Sequence, residues 1–232
     1  MECLLCRDNG KIGGCPKCGK HLNLKGNNEI KVTNKEINKL CIPKNYVNSK
    51  WNSLILKQDY NDYSEDSKFK NYVQQLDACI NIFKKGELPK ISALISSPIG
   101  YGKTTWAYNC MIEAMRHNYT VAPLIATTQM RRMMITASER PDWYNSYSDY
   151  SYMEYLTADT LFVYIPTEYA FAYETIVDLV NTRSRLEKPT FFLSNYTIRE
   201  LISHDKKSML LKLLNGGSNV DPLKYLISIE FI

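Results

Sequence analysis

One nine-residue stretch of this 232-residue chain has the residue types and spacing to hold a phosphate: Ser97, Pro98, Ile99, Gly100, Tyr101, Gly102, Lys103, Thr104 and Thr105. The pattern G-x-x-x-x-G-K-[ST] is met everywhere except its first position, where Ser97 stands in place of glycine. In such a loop, set between a strand and a helix, successive backbone N–H groups ring a β-phosphate. The helix start adds its dipole, and a lysine, here Lys103, reaches the β- and γ-oxygens. The Thr104 hydroxyl is placed to ligate Mg²⁺. The first glycine fixes only the turn into the loop, while the phosphate is cradled from Gly100 to Thr105. Serine is small, so ATP binding is expected to survive the exchange.

A second group is the cysteines of "CLLCRDNGKIGGCPKCGK", where Cys3, Cys6, Cys15 and Cys18 read C-x2-C-x8-C-x2-C. Each C-x2-C pair aims two sulfurs at one point, and four thiolates close a tetrahedral Zn²⁺ site with no open position, so the site reads as structural. A redox dithiol is the alternative, and His21 could replace one thiol, although Cys18 is the simpler ligand. Cys41, Cys79 and Cys110 stand alone and read as ordinary small buried residues. With seven cysteines and no secretory leader, the chain reads as a protein of a reducing cytoplasm.

ATP hydrolysis needs more than the loop. Enzymes of this kind hold Mg²⁺ with an acid at the tip of a neighbouring strand, and a further group orients the attacking water. The candidate strand is "DTLFVYIPTE", whose tip reads Tyr164, Ile165, Pro166. Asp159 lies at its wrong end. Glu168, a few residues past the tip, is the one acid that could swing in, and loss of the acids is preferred to that rescue.

These residues need a scaffold to position them. "ISALISS" (91–97), "TVAPLIA" (120–126), "TLFVYI" (160–165), "TFFLSN" (190–195) and "YLISIEFI" (225–232) read as strands. "SKFKNYVQQLDACINIFKKG" carries a helical apolar stripe that Gly86 ends, and helices are expected after the glycine loop, over 127–137 and over 172–187, with two short ones after residue 195. Alternating strands and helices imply an α/β fold with a five-stranded parallel sheet covered on both faces. The domains expected are a zinc-binding head (1–25), a linker and N-terminal arm (26–50) and a P-loop domain (51–232) without a full helical lid. No apolar run is long enough for a membrane span.

Charge is uneven. Residues 1–50 hold ten Lys/Arg against four Asp/Glu, whereas 141–182 hold seven acids and no Lys or Arg, within a net charge of +5. A basic head and an acidic middle imply two surfaces with different partners. The abundance of Asn, Lys, Ile and Tyr points to an AT-rich genome.

In order, "IPKNY" (42–46), "SPIGYGKTT" (97–105), "YLTADTLFVYI" (155–165), "NTR" (181–183) and "KPTFFLSN" (188–195) resemble the helicase loaders of the DnaC/DnaI type within the AAA+ ATPases, close to the IstB transposition ATPases. The resemblance covers about residues 40–230, and the cysteine-rich head is similar to that of DnaI-like members. It implies an AAA+-type P-loop domain, ATP and Mg²⁺ as ligands, and Asn195 as the polar sensor near the γ-phosphate or attacking water. It further implies a replicative DNA helicase as partner, gripped by the head, with single-stranded DNA and self-association as further expectations, in a bacterial host cytoplasm and from a phage or mobile element. The chain departs from the family where Tyr164 and Ile165 replace the two acids. It departs again where "SHDKKSMLLKLLN" offers Lys206, Lys207 and Lys212 in place of paired arginines, which keeps charge but loses the planar fork. Both departures imply weak or absent turnover. Alternatives are a non-catalytic adaptor or inhibitor on the host helicase or its loader, and an IstB-like ATPase, against which the head argues.

The tyrosines of "WYNSYSDYSYMEY" (143–155) could stack on single-stranded bases, but acids and no cations lie among them, which favours a protein interface or a packed loop. Arg131 and Arg132 could face a DNA channel or solvent. Arg183 and Arg185 could reach a neighbour's nucleotide or cap their helix. His117 and His204 read as structural.

Overall fold

The computed structural model describes residues 32–51, 67–135, 151–166, 171–204 and 226–231. Contacts divide the chain into two units, Met1–Ile30 and Lys31–Ile232, and the described residues belong to the second. The four cysteines of the head, Glu168, Tyr144, Tyr147 and Tyr150, and Lys206, Lys207 and Lys212 lie outside the described residues.

The elements in chain order are α1 (Asn34–Lys39), α2 (Lys44–Val47), α3 (Ser67–Lys84), β1 (Ser92–Ser96), α4 (Lys103–Arg116), β2 (Ile125–Ala126), α5 (Thr127–Ile135), α6 (Tyr152–Thr157), β3 (Leu161–Ile165), α7 (Phe171–Arg185), β4 (Thr190–Ser194), α8 (Ile198–His204) and β5 (Leu226–Glu230). The five strands form one sheet in the order β2-β3-β4-β1-β5, and every pairing is parallel. β1 and β4 are buried along their whole length, which is why they read as unbroken apolar runs without alternation.

Successive side chains point to opposite faces of a strand, and the core divides accordingly. Ala93, Ile95, Phe162, Phe191 and Leu193 face one cluster, with Leu76, Phe83, Trp106 and Met111 from α3 and α4. Leu94, Leu161, Val163 and Phe192 face the other, with Met130, Ile176, Leu179 and Val180 from α5 and α7. Phe162 and Phe191 stack at 5.1 Å across β3 and β4, and Trp106 meets both edge-on. Ile37, Leu40 and Ile42 of the N-terminal arm, and Trp51 just after it, join the first cluster, and the Trp51 indole N–H donates to Asp77 on α3. Helix α1 starts on a reciprocal cap, in which Thr33 and Glu36 each hold the other's backbone N–H. Gly86, at φ +73°, ends the turn after α3, and a Cβ there would lie 2.9 Å from His117 Nδ1, so another residue would strain the backbone and push the His117 ring aside. Among the described residues, no helix is long and apolar enough to cross a membrane.

Three expectations are corrected. The strand expected over 120–126 is only Ile125–Ala126, with Val121 making an isolated bridge to Thr160. Pro123 has no N–H to give to a ladder, and the segment can pair only at its two ends. The tyrosine-rich stretch read as an interface or packed loop ends in a helix: α6 spans Tyr152–Thr157, and β3 follows from Leu161. The start of α6 was written in the sequence as S-x-x-E, since Ser151 and Glu154 form a complete capping box.

The third correction concerns Arg183, which neither faces a neighbour nor caps its own helix. It is completely buried, and its guanidinium donates to Thr190 Oγ1 (2.8 Å) and to the carbonyls of Tyr155 (2.9 Å), Leu156 (2.8 Å), Ala158 (2.9 Å) and Pro189 (2.9 Å). It thereby satisfies carbonyls at the end of α6 that have no helical partner and ties α6 and α7 to the start of β4. Burial pulls its pKa down to about 10, still well above neutrality. Arg131, on α5, pairs with Glu174 on α7 at 3.2 Å.

Candidate nucleotide-binding site

In open parallel sheets a ligand sits outside the carboxyl ends of the strands, where the strand order reverses. Here β1 is flanked by β4 and β5, and the chain leaves β1 for β2 at the far edge before β5 returns on the other side. The loop 97–102 therefore leaves the sheet at such a reversal and delivers the chain into α4, which begins at Lys103. The strand end beneath it is pinned from both sides. Phe231 N–H donates to the Ser96 carbonyl at 2.9 Å, and Ser97 N–H to the Ser194 carbonyl at 3.2 Å. The Ser96 hydroxyl donates to the Tyr196 carbonyl.

Gly100 and Gly102 have φ of +95° and +80°, where a side chain would strain the backbone. At Gly100 nothing lies within 4 Å of a notional Cβ, so the demand is for the dihedral and not for space. Gly102 is the N-cap of α4 and supplies no capping side chain, which leaves the helix start in the form that suits an anion. Tyr101 packs its ring on Phe231 (4.8 Å) and Phe69 (6.0 Å), anchoring the far side of the loop to β5 and α3. Thr104 is half-buried and Thr105 buried.

Lys103 is 5% exposed and folded back on the loop. Its ammonium donates to the Ser97 carbonyl (2.5 Å), the Pro98 carbonyl (2.8 Å) and the Ser97 hydroxyl (3.1 Å). Burial lowers its pKa to about 8. Ser97 is itself 2% exposed, and its hydroxyl lies 3.1 Å from the Tyr72 hydroxyl on α3. Glycine could not make either side-chain contact. Ile99, at the tip, is 81% exposed.

The other half of the site is the end of β3 and β4, which are in register at Ile165 and Ser194. Asn195, just past β4, donates from Nδ2 to the Tyr164 hydroxyl at 2.6 Å. The residue expected to be the polar sensor is thus bonded to Tyr164, at the strand tip where an acid was looked for. Among the described residues, no group of three His, Cys, Asp or Glu side chains could hold a metal ion. The loop's dihedrals, the helix start and Lys103 fit a nucleotide phosphate. For Mg²⁺, the described residues offer the Thr104 hydroxyl and no carboxylate at the β3 tip. The sequence pattern marked the loop and Asn195 but not Tyr72, whose place in the α3 apolar stripe hid its hydroxyl.

No family model and no curated protein sequence matches this chain. Solved structures similar to it include DnaI, at 13% identity and a TM-score of 0.49, over 82% of this chain and 93% of that one. The DnaC helicase loader is similar at 16% identity and a TM-score of 0.48, over 81% of this chain and 100% of that one. The replication initiator DnaA, bound to AMPPCP and single-stranded DNA, is similar at 16% identity and a TM-score of 0.47, over 76% of this chain and 51% of that one. At such distances the assignment rests on this chain's own strand order, glycine loop and helix. Those features describe a P-loop α/β fold.

Proposed function

We propose that this chain binds ATP at Ser97–Thr105 and recruits or loads a replicative DNA helicase, with weak or absent hydrolysis. The observation that carries the ATP reading is Lys103, set behind two positive-φ glycines at the start of α4 and at the carboxyl end of a parallel sheet. The helicase reading is supported by the ordered DnaC/DnaI-like stretches and by the C-x2-C-x8-C-x2-C head. When bound, Mg²⁺ would neutralise phosphate charge beside the Thr104 hydroxyl. The chain's own contribution is to hold the phosphates with backbone N–H groups and the Lys103 ammonium. Single-stranded DNA and further copies of the chain complete the expected assembly in a bacterial cytoplasm, with a phage or mobile element as source.

Lys103→Ala is expected to weaken ATP binding by roughly tenfold or more, since a hydrogen bond to a charged group is worth about 1.5–3 kcal/mol. Calorimetry with ATP and Mg²⁺ measures this, and unchanged affinity would place the nucleotide elsewhere. Pull-down of the host's replicative helicase, with and without ATP, tests the partner. Failure to capture it in either state would remove the loader reading.

For the head, we propose one structural Zn²⁺ on Cys3, Cys6, Cys15 and Cys18. Elemental analysis of freshly purified, unchelated protein is expected to find about one equivalent, the occupancy of a closed four-thiolate site. Less than about half an equivalent would sink the assignment. Cys3→Ser is expected to abolish helicase capture while ATP binding persists.

The second reading is an adaptor that captures the helicase or its loader and never turns over ATP. The Asn195–Tyr164 bond favours it, because that bond occupies the sensor with a phenol.

A further inference from the structure

A lysine ammonium has three N–H donors and no more. In this chain all three are engaged on the loop itself: by the carbonyls of Ser97 and Pro98 at 2.5 and 2.8 Å, and by the Ser97 hydroxyl at 3.1 Å. A phosphate oxygen can accept from Lys103 only if one of these is given up. The hydroxyl contact is the longest, and a hydroxyl that already has another partner is the easiest to release. That partner is Tyr72, fully buried on α3, whose hydroxyl lies 3.1 Å from Ser97 Oγ. Glycine at position 97 would keep the carbonyl and abolish the third contact, leaving one donor of Lys103 unclaimed.

We propose that Ser97 sets the affinity of the site: its hydroxyl competes with a nucleotide phosphate for the third N–H of Lys103, and Tyr72 holds the hydroxyl when Lys103 lets go. The exchange at the first glycine position is then an affinity-lowering device and not a tolerated loss. This rests on the reading of Ser97–Thr105 as an ATP site. The competition acts on the phosphate, so it applies to ATP and ADP alike and not to adenosine.

Calorimetric titration with Mg-ATP, ADP and adenosine tests the proposal on the unmodified chain and four variants: Ser97→Ala, Ser97→Gly, Tyr72→Phe and the double variant of Ser97→Ala with Tyr72→Phe. Ser97→Ala is expected to tighten ATP and ADP by about three- to tenfold, the equivalent of one ordinary hydrogen bond, and to leave adenosine unchanged. A gain in affinity is not what structural damage produces. Tyr72→Phe is expected to weaken ATP about two- to threefold when Ser97 is present and to do nothing when residue 97 is alanine, a coupling that a packing role for Tyr72 would not show. Ser97→Gly repeats the first measurement without a side chain. If the unmodified chain binds ATP and Ser97→Ala binds it equally or more weakly, the competition is refuted while the ATP reading stands. If neither binds ATP, the ATP reading fails and this proposal with it. Binding that emerges only in Ser97→Ala supports the competition in its strongest form.

Discussion

Arg183→Leu is expected to cost roughly 3–5 kcal/mol of folding stability, because it strips the donors from several buried acceptors at once. The side chain is fully buried, and its five hydrogen bonds end on four backbone carbonyls and one threonine hydroxyl. Leucine restores apolar volume but leaves those acceptors in the interior without donors, and each buried unsatisfied group costs about 1–3 kcal/mol. Losing the buried charge returns part of this, since desolvation already holds the pKa down to about 10. A domain stable by about 5–15 kcal/mol has little margin for such a change. Arg183→Lys keeps the charge but offers three donors without a fork, so an intermediate loss is expected. Urea unfolding of the two variants against the unmodified chain measures both, and a loss under about 1 kcal/mol for leucine would show that the carbonyls find other donors.

The second large effect is an absence of turnover. ATP hydrolysis above that of a Lys103→Ala control is expected to be undetectable, with or without single-stranded DNA. Phosphoryl transfer is catalysed mostly by positioning and charge neutralisation. The β3 tip offers a phenol and an apolar side chain, and Tyr164 already accepts the hydrogen bond from Asn195. ATP is then a ligand that stabilises the fold by mass action. Steady phosphate release that vanishes in Lys103→Ala would refute this. If it also vanished in Glu168→Gln, Glu168 would be the displaced acid and the chain a working ATPase.

How much was legible follows the range of the interactions. Strands β1, β3 and β4 and the long helices α3, α4 and α7 announce themselves through apolar runs and stripes, which are local patterns. β2 is shorter than its β-branched and apolar residues suggest because one proline, lacking an N–H, decides the pairing. α6 is hidden by its tyrosines, which suit a surface loop, although Ser151 and Glu154 spell out its cap. The role of Arg183 could not be read from "NTR": its partners lie up to 28 residues away and are backbone carbonyls, which carry no residue-type signal. The glycine loop was visible as a motif. What Ser97 does there was not, since it depends on Tyr72, 25 residues earlier and set beside it only by the packing of α3.

The brevity of β2 bears on how this protein behaves at high concentration. It is the strand at one margin of the sheet, and it presents only Ile125 and Ala126, with Pro123 just upstream. A long, flat margin is a template on which a strand from another molecule can dock and begin cross-molecular growth, and short strands and prolines are the usual safeguards. Val121 makes one isolated bridge to Thr160, and the backbone between it and Ile125 is not part of a strand. The β2 side is therefore guarded against aggregation by its own sequence. A change that lengthened it, such as Pro123→Val, would trade that protection for a longer strand.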